Sequence, residues 1–164
     1  MKQAGVLSFH PAFTPPSSGG ELRLYHLLKE VAQADNEVTL LSPTYGEHQQ
    51  ETVEHTPNFT ETRFPKTPLY NKWHHVLGRY GGFTECSGLV CSLSAQHHAP
   101  FRKEAARLVR ESDIFVHEYA FLTPLAPRRG HSKQLFVYDA HNVEYRLAQS
   151  MFGSGLRGRW AARR

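Results

Sequence analysis

Residues 4–42 read AGVLSFHPAFTPPSSGGELRLYHLLKEVAQADNEVTLLS, and this stretch decides the fold class. A short apolar run at 4–9 predicts a first strand, and a helical spacing of apolar residues predicts an amphipathic helix over 20–34. The apolar face of that helix consists of Leu24, Leu27, Leu28 and Val31. A second apolar run at 37–42 predicts another strand. A strand, a helix and a strand in this order form a right-handed unit of a parallel sheet.

The connection between the first strand and the helix is long and rich in proline and glycine. Ser17 or Ser18 can cap the helix, and the pair Gly19-Gly20 stands at its amino terminus. Backbone N–H groups at a helix amino terminus favour an anion such as a phosphate. The pair fits neither a G-x-G-x-x-G pattern nor a Walker loop, so a simple tight turn is the alternative.

Apolar and alternating patterns continue along the chain and complete the prediction. Strands are predicted near 59–64, 114–116 and 134–139, and helices over 70–80, 96–110 and 120–127. Residues 51–55 also alternate like a strand, whereas 83–93 fit a helix or a strand equally well. This order predicts an α/β domain that is Rossmann-like and doubly wound, with a mostly parallel sheet flanked by helices.

Three of the predicted strands end in polar residues. These residues are His10 before the glycine loop, His117 with Glu118, and Asp139 with His141 and Asn142. Because the carboxyl ends of parallel strands meet at one edge of a sheet, the three clusters should converge where α/β proteins bind ligands. The alternative is that Asp139 or Asn142 caps the next helix and His141 is a solvated loop residue. We expect strand 134–139 itself to be buried, because it opens with four apolar residues.

Composition and charge indicate a single folded domain. The chain has 164 residues, of which 40% are apolar and 21% are charged. Residues 1–100 carry 7 Lys+Arg against 9 Asp+Glu, and residues 101–164 carry 12 against 6. No nucleic-acid motif accompanies the basic half, so no nucleic-acid partner is expected. The basic half is compatible with peripheral contact to an anionic membrane, although solvated charge on helix faces explains it equally well.

Cysteine and histidine usage excludes several kinds of site. Cys86 and Cys91 are the two cysteines, and without a second pair they are expected to be free thiols in a reducing compartment. The eleven histidines show no metal-binding spacing, so no metal site is expected. The amino terminus lacks a signal-peptide pattern and no apolar run could span a bilayer. We therefore expect a cytoplasmic protein, with or without peripheral contact to the inner face of the membrane.

Three segments resemble, in the same order, the family 4 type of retaining glycosyltransferases, which have the two-domain GT-B fold. PPSSGGELRLYHLLKEVAQADNEVTLLSP resembles that family's first loop, helix and strand, with its P-x-x-GG-x-x-R pattern. DIFVHEYAFLTPL resembles the strand of the family that ends in histidine and faces the interdomain cleft. QLFVYDAHNVEYR is similar to the strand that ends in an HN-x-E or HD element. The matches cover most of 4–50 and 100–150.

The resemblance implies an enzyme that moves a sugar, such as a hexose, from a nucleotide-sugar donor to an acceptor. Residues 1–150 would form the amino-terminal, acceptor-side half of the GT-B fold. Residues 151–164 would be a basic tail that leads toward a nucleotide-binding domain, whose E-x7-E carboxylates this sequence lacks. We expect the isolated chain to be inactive or nearly so. The nucleotide sugar would be a co-substrate, and no further cofactor is expected.

The resemblance also implies roles for individual residues. Gly19 and Gly20 would lie near the donor's diphosphate, where backbone amides offset the charge of the leaving phosphate. His141 would point at the transferring sugar as the catalytic residue. Asn142 and Glu144 would support its loop and contact substrate.

On the acceptor side, His117 and Glu118 would line the site. Arg23 matches a position of the family pattern, although a solvated charge explains it as well. Two other functions stay open. The domain could be a non-catalytic α/β binding module, or an unrelated nucleotide-dependent enzyme that uses the same Gly-Gly turn.

Overall fold

A computed structural model describes residues 1–13, 15–16, 18–43, 49–81, 87–126, 133–140 and 155. The strands are β1 (Gln3–Leu7), β2 (Glu37–Pro43), β3 (Glu51–Thr56), β4 (Phe59–Phe64), β5 (Ile114–Glu118) and β6 (Leu135–Asp139). The helices are α1 (Gly19–Gln33), α2 (Pro68–Gly81), α3 (Ser87–Ala95) and α4 (Ala99–Glu111), and a 3-10 helix spans Ala120–Leu125. Apart from Gly155, the tail 151–164 lies outside the described residues, so the predicted division at residue 150 stays a prediction.

The strands form one six-stranded sheet in the order β3-β4-β2-β1-β5-β6. Four of the five neighbouring pairs are parallel, and β3 with β4 is the antiparallel one. Strand β1 lies in the middle, with β2 on one side and β5 on the other. The predicted fold class, a Rossmann-like and mostly parallel sheet flanked by helices, is confirmed.

The core has two parts, one on each face of the sheet. On one face α1 covers β1, β2 and β4, and the buried residues there include Val6, Leu24, Leu28, Val38, Leu40 and Phe59. On the other face α3, α4 and the 3-10 helix cover the sheet, and the buried residues include Leu7, Leu41, Val90, Phe101, Leu108, Phe115 and Leu122. Successive strand residues point to opposite faces, so each strand contributes to both parts of the core.

Strand β6 differs from the prediction that it would be buried. Its side chains are largely exposed: Leu135 at 58%, Phe136 at 38% and Tyr138 at 49% of their surface. The strand is the last of the described sheet and pairs with β5 alone. The apolar run therefore predicted the strand correctly, but the prediction that the strand is buried was wrong.

Two helices also depart from the prediction in detail. Helix α1 buries Leu24 and Leu28, but Leu27 is 43% exposed, because the face that meets the sheet is narrower than the apolar spacing indicated. Helix α4 begins at Ala99, three residues later than expected. Pro100 lies in its first turn, where a missing N–H costs nothing, and this position fixes the start of the helix.

The remaining sequence expectations concern thiols and membranes. Cys91 is a buried free cysteine, and burial raises the pKa of its thiol to about 12, so it stays protonated at neutral pH. Cys86 lies outside the described residues. Within the described ranges, none of the helices has the length and apolarity that crossing a membrane requires.

Candidate functional site

The candidate site lies at the carboxyl edge of β1, β5 and β6, which are neighbours in the sheet. Leu7 of β1 is level with His117 of β5, and Glu118 of β5 is level with Asp139 of β6. The ends of these strands therefore meet side by side, as the sequence predicted. In open α/β sheets this edge is the usual place for a ligand.

His117 and Glu118 are the last two residues of β5, not the start of a loop after it. The strand extends through them because parallel pairing with β6 continues to Glu118. Phe115 belongs to the core under α4, whereas Val116 packs against the core under α1. Since side chains alternate along a strand, His117 lies on the α4 face and Glu118 on the α1 face. The structure brings the pair to one edge but places the two side chains on opposite faces of the sheet.

The amino terminus of α1 lies at the same edge. Ser18 caps the helix, because its side chain accepts a hydrogen bond from the Glu21 N–H at 3.3 Å. Gly19 and Gly20 are the first two helical residues, in the turn whose N–H groups have no acceptor within the helix. A Cβ atom added at Gly19 would meet no other atom within 4 Å, so this side of the glycine pair faces open space.

Tyr119 is a member of the site that the sequence did not indicate. It follows β5 directly and has a positive φ of 60°, which is rare for a bulky residue and costs free energy. Its ring stacks on Phe121 and meets the ring of His10 edge-on at 5.4 Å. Its hydroxyl lies 3.2 Å from where a Cβ atom of Gly20 would stand. Gly20 therefore leaves room for the close approach of Tyr119 to α1, and no sequence pattern signals that contact.

Arg23 connects α1 to the end of β6. Its Nη2 atom donates to Oδ1 of Asp139 at 2.7 Å. This hydrogen bond, together with the charges of Asp139, Glu118 and Tyr119, raises the pKa of Arg23. Arg23 thus lies in the site, as the ion-pair partner of Asp139.

His117 is the most unusual titratable group of the site. It is 3% exposed, its ring lies 5.6 Å from that of Tyr138, and its Nε2 atom has no hydrogen-bond partner among the described residues. Burial lowers the pKa of His117 to about 4. The imidazole is therefore neutral at pH 7. A neutral imidazole can donate one hydrogen bond and accept another, which suits a hydroxyl group.

Three predicted site residues cannot be compared with the structure. His141, Asn142 and Glu144 lie outside the described residues, and their roles stay predictions. The last described position of this segment, Ala140, follows Asp139 at the candidate edge. In the parts of the chain that the structure describes, no group of three His, Cys, Asp or Glu side chains could hold a metal ion.

Comparison with known proteins gives structural neighbours alone. No protein-family model matches the chain, and no curated protein matches it. Sucrose-phosphate synthase from Thermosynechococcus elongatus is similar over 92% of this chain, with 11% identity and a TM-score of 0.34. A structure described as trehalose-6-phosphate from E. coli bound with UDP-2-fluoro glucose is similar over 75% of this chain, with 17% identity and a TM-score of 0.39.

The chain spans about half of the first neighbour, 52% of its length, and 29% of the second. A shorter form of the synthase is similar over 98% of this chain and 93% of its own length, with 10% identity and a TM-score of 0.29. These likenesses are too distant to identify the chain. The fold class rests on the order and direction of its own six strands.

Proposed function

We propose that this chain is the acceptor-side domain of a glycosyltransferase that moves a sugar from a nucleotide-sugar donor to an acceptor. The observation that carries the proposal is the meeting of polar strand ends with the glycine start of α1 at one edge of a parallel sheet. The resemblance of three segments to family 4 type enzymes supports it. The solved structures with a similar fold include glycosyltransferases, which agrees with the proposal without carrying it.

Each part of the edge has a chemical task in the proposed reaction. The first N–H groups of α1 at Gly19 and Gly20 offset negative charge that develops on the leaving diphosphate. Neutral His117, buried and with an unpartnered Nε2 among the described atoms, binds a hydroxyl of the acceptor. Glu118 and Arg23 set the charge on the α1 face. His141, with Asn142 and Glu144, faces the transferring sugar.

In the proposed enzyme, two domains together bind the nucleotide-sugar donor. The nucleotide is bound mainly by a second Rossmann-like domain, and this chain supplies the acceptor site and the diphosphate-facing glycines. Retention at the anomeric carbon and action at the cytoplasmic face of a membrane are part of the proposal and rest on the resemblance and on the basic half of the sequence.

A sugar-transfer assay with the longest natural form of the protein tests this function. Gly19→Ala places a methyl group in open space, so folding should be unaffected while the methyl occupies the volume that the diphosphate needs. The backbone N–H remains in this variant, and a displacement of about 1 Å at the reacting group can cost about a hundredfold in rate, so we expect transfer to fall about tenfold or more. Gly78→Ala is the matched control, because Gly78 also faces open space but lies on α2, and its transfer rate should equal that of the wild type.

His141→Ala in the same assay tests the catalytic residue separately, and unchanged turnover would remove His141 from the mechanism. Absence of transfer by the wild type with a broad panel of nucleotide sugars and acceptors would favour the non-catalytic binding module. Equal losses in Gly19→Ala and Gly78→Ala would show that the glycine pair is not part of the site.

A further inference from the structure

A buried ionic network lies on the α1 face of the sheet at β4, which is separated from β1 by β2. Its centre is Glu61 of β4, whose side chain is fully buried. Oε1 of Glu61 accepts hydrogen bonds from the Ala12 N–H at 3.1 Å and from Ser42 Oγ at 2.6 Å. Oε2 lies 2.9 Å from Nε2 of His55 and 2.9 Å from Nη2 of Arg63. Both carboxylate oxygens are thus fully engaged.

Arg63 also binds Ala12, through the carbonyl oxygen of that residue. Its Nη2 donates to the carbonyl oxygen of Ala12 at 3.2 Å, and its Nη1 donates to Glu51 at 3.1 Å. Its guanidinium also lies 5.0 Å from the centre of the Phe13 ring, a cation–π contact. Glu61 and Arg63 together bind both backbone groups of Ala12, 49 and 51 residues away in sequence.

The buried charge of Glu61 is compensated within the network. Burial raises the pKa of the Glu61 carboxyl, but hydrogen bonds from His55, Arg63 and Ser42 outweigh burial, so the pKa lies below its ordinary value. Replacement of a buried ion pair by well-packed apolar residues is often neutral or stabilising, whereas removal of one partner is strongly destabilising. In this network, Glu61 and Arg63 hold the N–H and the carbonyl oxygen of Ala12 at the same time.

The bound residue has a decisive place in the chain. Ala12 lies between the end of β1 at Leu7 and the start of α1 at Gly19, and its side chain is buried in the core under α1. Fixing Ala12 in position and direction fixes how the loop leaves the sheet. Six residues separate Ala12 from Gly19, where α1 begins.

We infer that Glu61 and Arg63 are positioning residues, which hold the β1–α1 loop at Ala12 and thereby set the glycine amino terminus of α1 at the candidate site. The inference concerns the geometry of the free protein. It does not depend on the protein being a glycosyltransferase, and it holds for any ligand that binds at that edge.

Amide hydrogen exchange and amide chemical shifts, measured by NMR on the full chain, test this role. Glu61→Gln keeps the shape of the side chain but removes its charge. We expect the Ala12 amide to exchange about tenfold faster, as for the loss of a charge-assisted hydrogen bond. The amide signals of Gly19 and Gly20 should shift, while amide signals inside β5 keep their positions. Glu54→Gln on exposed β3 is the matched control and should change neither readout.

A second variant keeps the test decisive if Glu61→Gln does not fold. Arg63→Lys keeps the positive charge but has a single nitrogen, so it cannot hold Glu51 as Nη1 does while it also holds Glu61 and Ala12 as Nη2 does. Without the planar fork of the guanidinium, the same changes at Ala12, Gly19 and Gly20 are expected. Two results would overturn the inference. One is a rise of exchange across the whole sheet with unmoved Gly19 and Gly20 signals, which would make the network a general stabiliser. The other is faster exchange at Ala12 with unmoved Gly19 and Gly20 signals.

Discussion

The position of His117 at the end of β5 buries its side chain, and this burial sets the pKa of the imidazole. Its Nε2 atom is buried without a partner in the described structure, and burial lowers its pKa to about 4. In the unfolded chain a histidine has a pKa near 6.5. As pH falls below 6.5 the unfolded state therefore binds a proton before the folded state does, and stability is lost until about pH 4.

A pH series of unfolding measurements checks this residue. For the wild type, the free energy of unfolding should fall by up to about 1.4 kcal/mol per pH unit on going from pH 6.5 to 4.5. His117→Gln removes the titrating group and should flatten that slope. The control is His26→Gln, on the exposed side of α1, which should keep the wild-type slope. If wild type and His117→Gln lose stability in parallel, the pKa of His117 is the same in the folded and unfolded protein, which would contradict its burial without a partner.

Residues of the candidate site could be predicted from the sequence where their position in a strand or helix places them there. They could not be predicted where contacts between distant parts of the chain place them there. The sequence indicated His117, Glu118 and the Gly19-Gly20 pair because each stands at the end of a strand or the start of a helix. It gave no sign of Tyr119, whose positive φ and contact with Gly20 depend on how β5 meets α1.

At the scale of elements, helix α4 packs directly against the backbone of β1, and it can do so because Gly5 has no side chain. Gly5 of β1 lies under the end of α4, where Ser112 donates to the carbonyl oxygen of Leu108. A Cβ atom at Gly5 would overlap Oγ of Ser112 and lie 2.8 Å from Cγ of Leu108. Any larger residue must push the helix away from the central strand.

Substitution of this glycine measures the packing of α4. Gly5→Ala should destabilise the protein by about 1–3 kcal/mol, the usual cost of an added methyl group in a packed core. Gly78→Ala, on the open surface of α2, should instead stabilise by about 0.5–1 kcal/mol, since alanine suits a helix interior better than glycine. Urea unfolding of both variants gives the two values. Equal stability of Gly5→Ala and wild type would mean that α4 lies farther from β1 than described.

Elements were predicted well when local pattern and tertiary contact agreed. Helix α1 has the serine cap and the buried Leu24 and Leu28 that its sequence indicates. Strand β4 was predicted correctly near 59–64, but no sequence pattern indicated that two of its charged residues are buried. Glu61 and Arg63 are buried because they find partners in the β1–α1 loop. The sequence of a strand alone does not show whether a pair of charged residues in it is buried or exposed.

The whole molecule brings together three features that are far apart in sequence. The first loop and helix, the end of β5 and the end of β6 meet at one edge, and Arg23 joins two of them through its ion pair with Asp139. The order of strands and helices predicted this edge correctly. The roles of His141, Asn142 and Glu144 depend on residues beyond the described structure and on the resemblance alone.

The central claim is that this edge of the sheet is where the protein binds its ligands. An NMR titration of the full chain with a panel of nucleotide sugars, free sugars and glycosides tests it most directly. We expect the amide signals of Gly19, Gly20 and Tyr119, at the carboxyl edge, to shift. Shifts confined to Asn58 and Asp113 at the opposite edge, or no shift with any member of the panel, would contradict it.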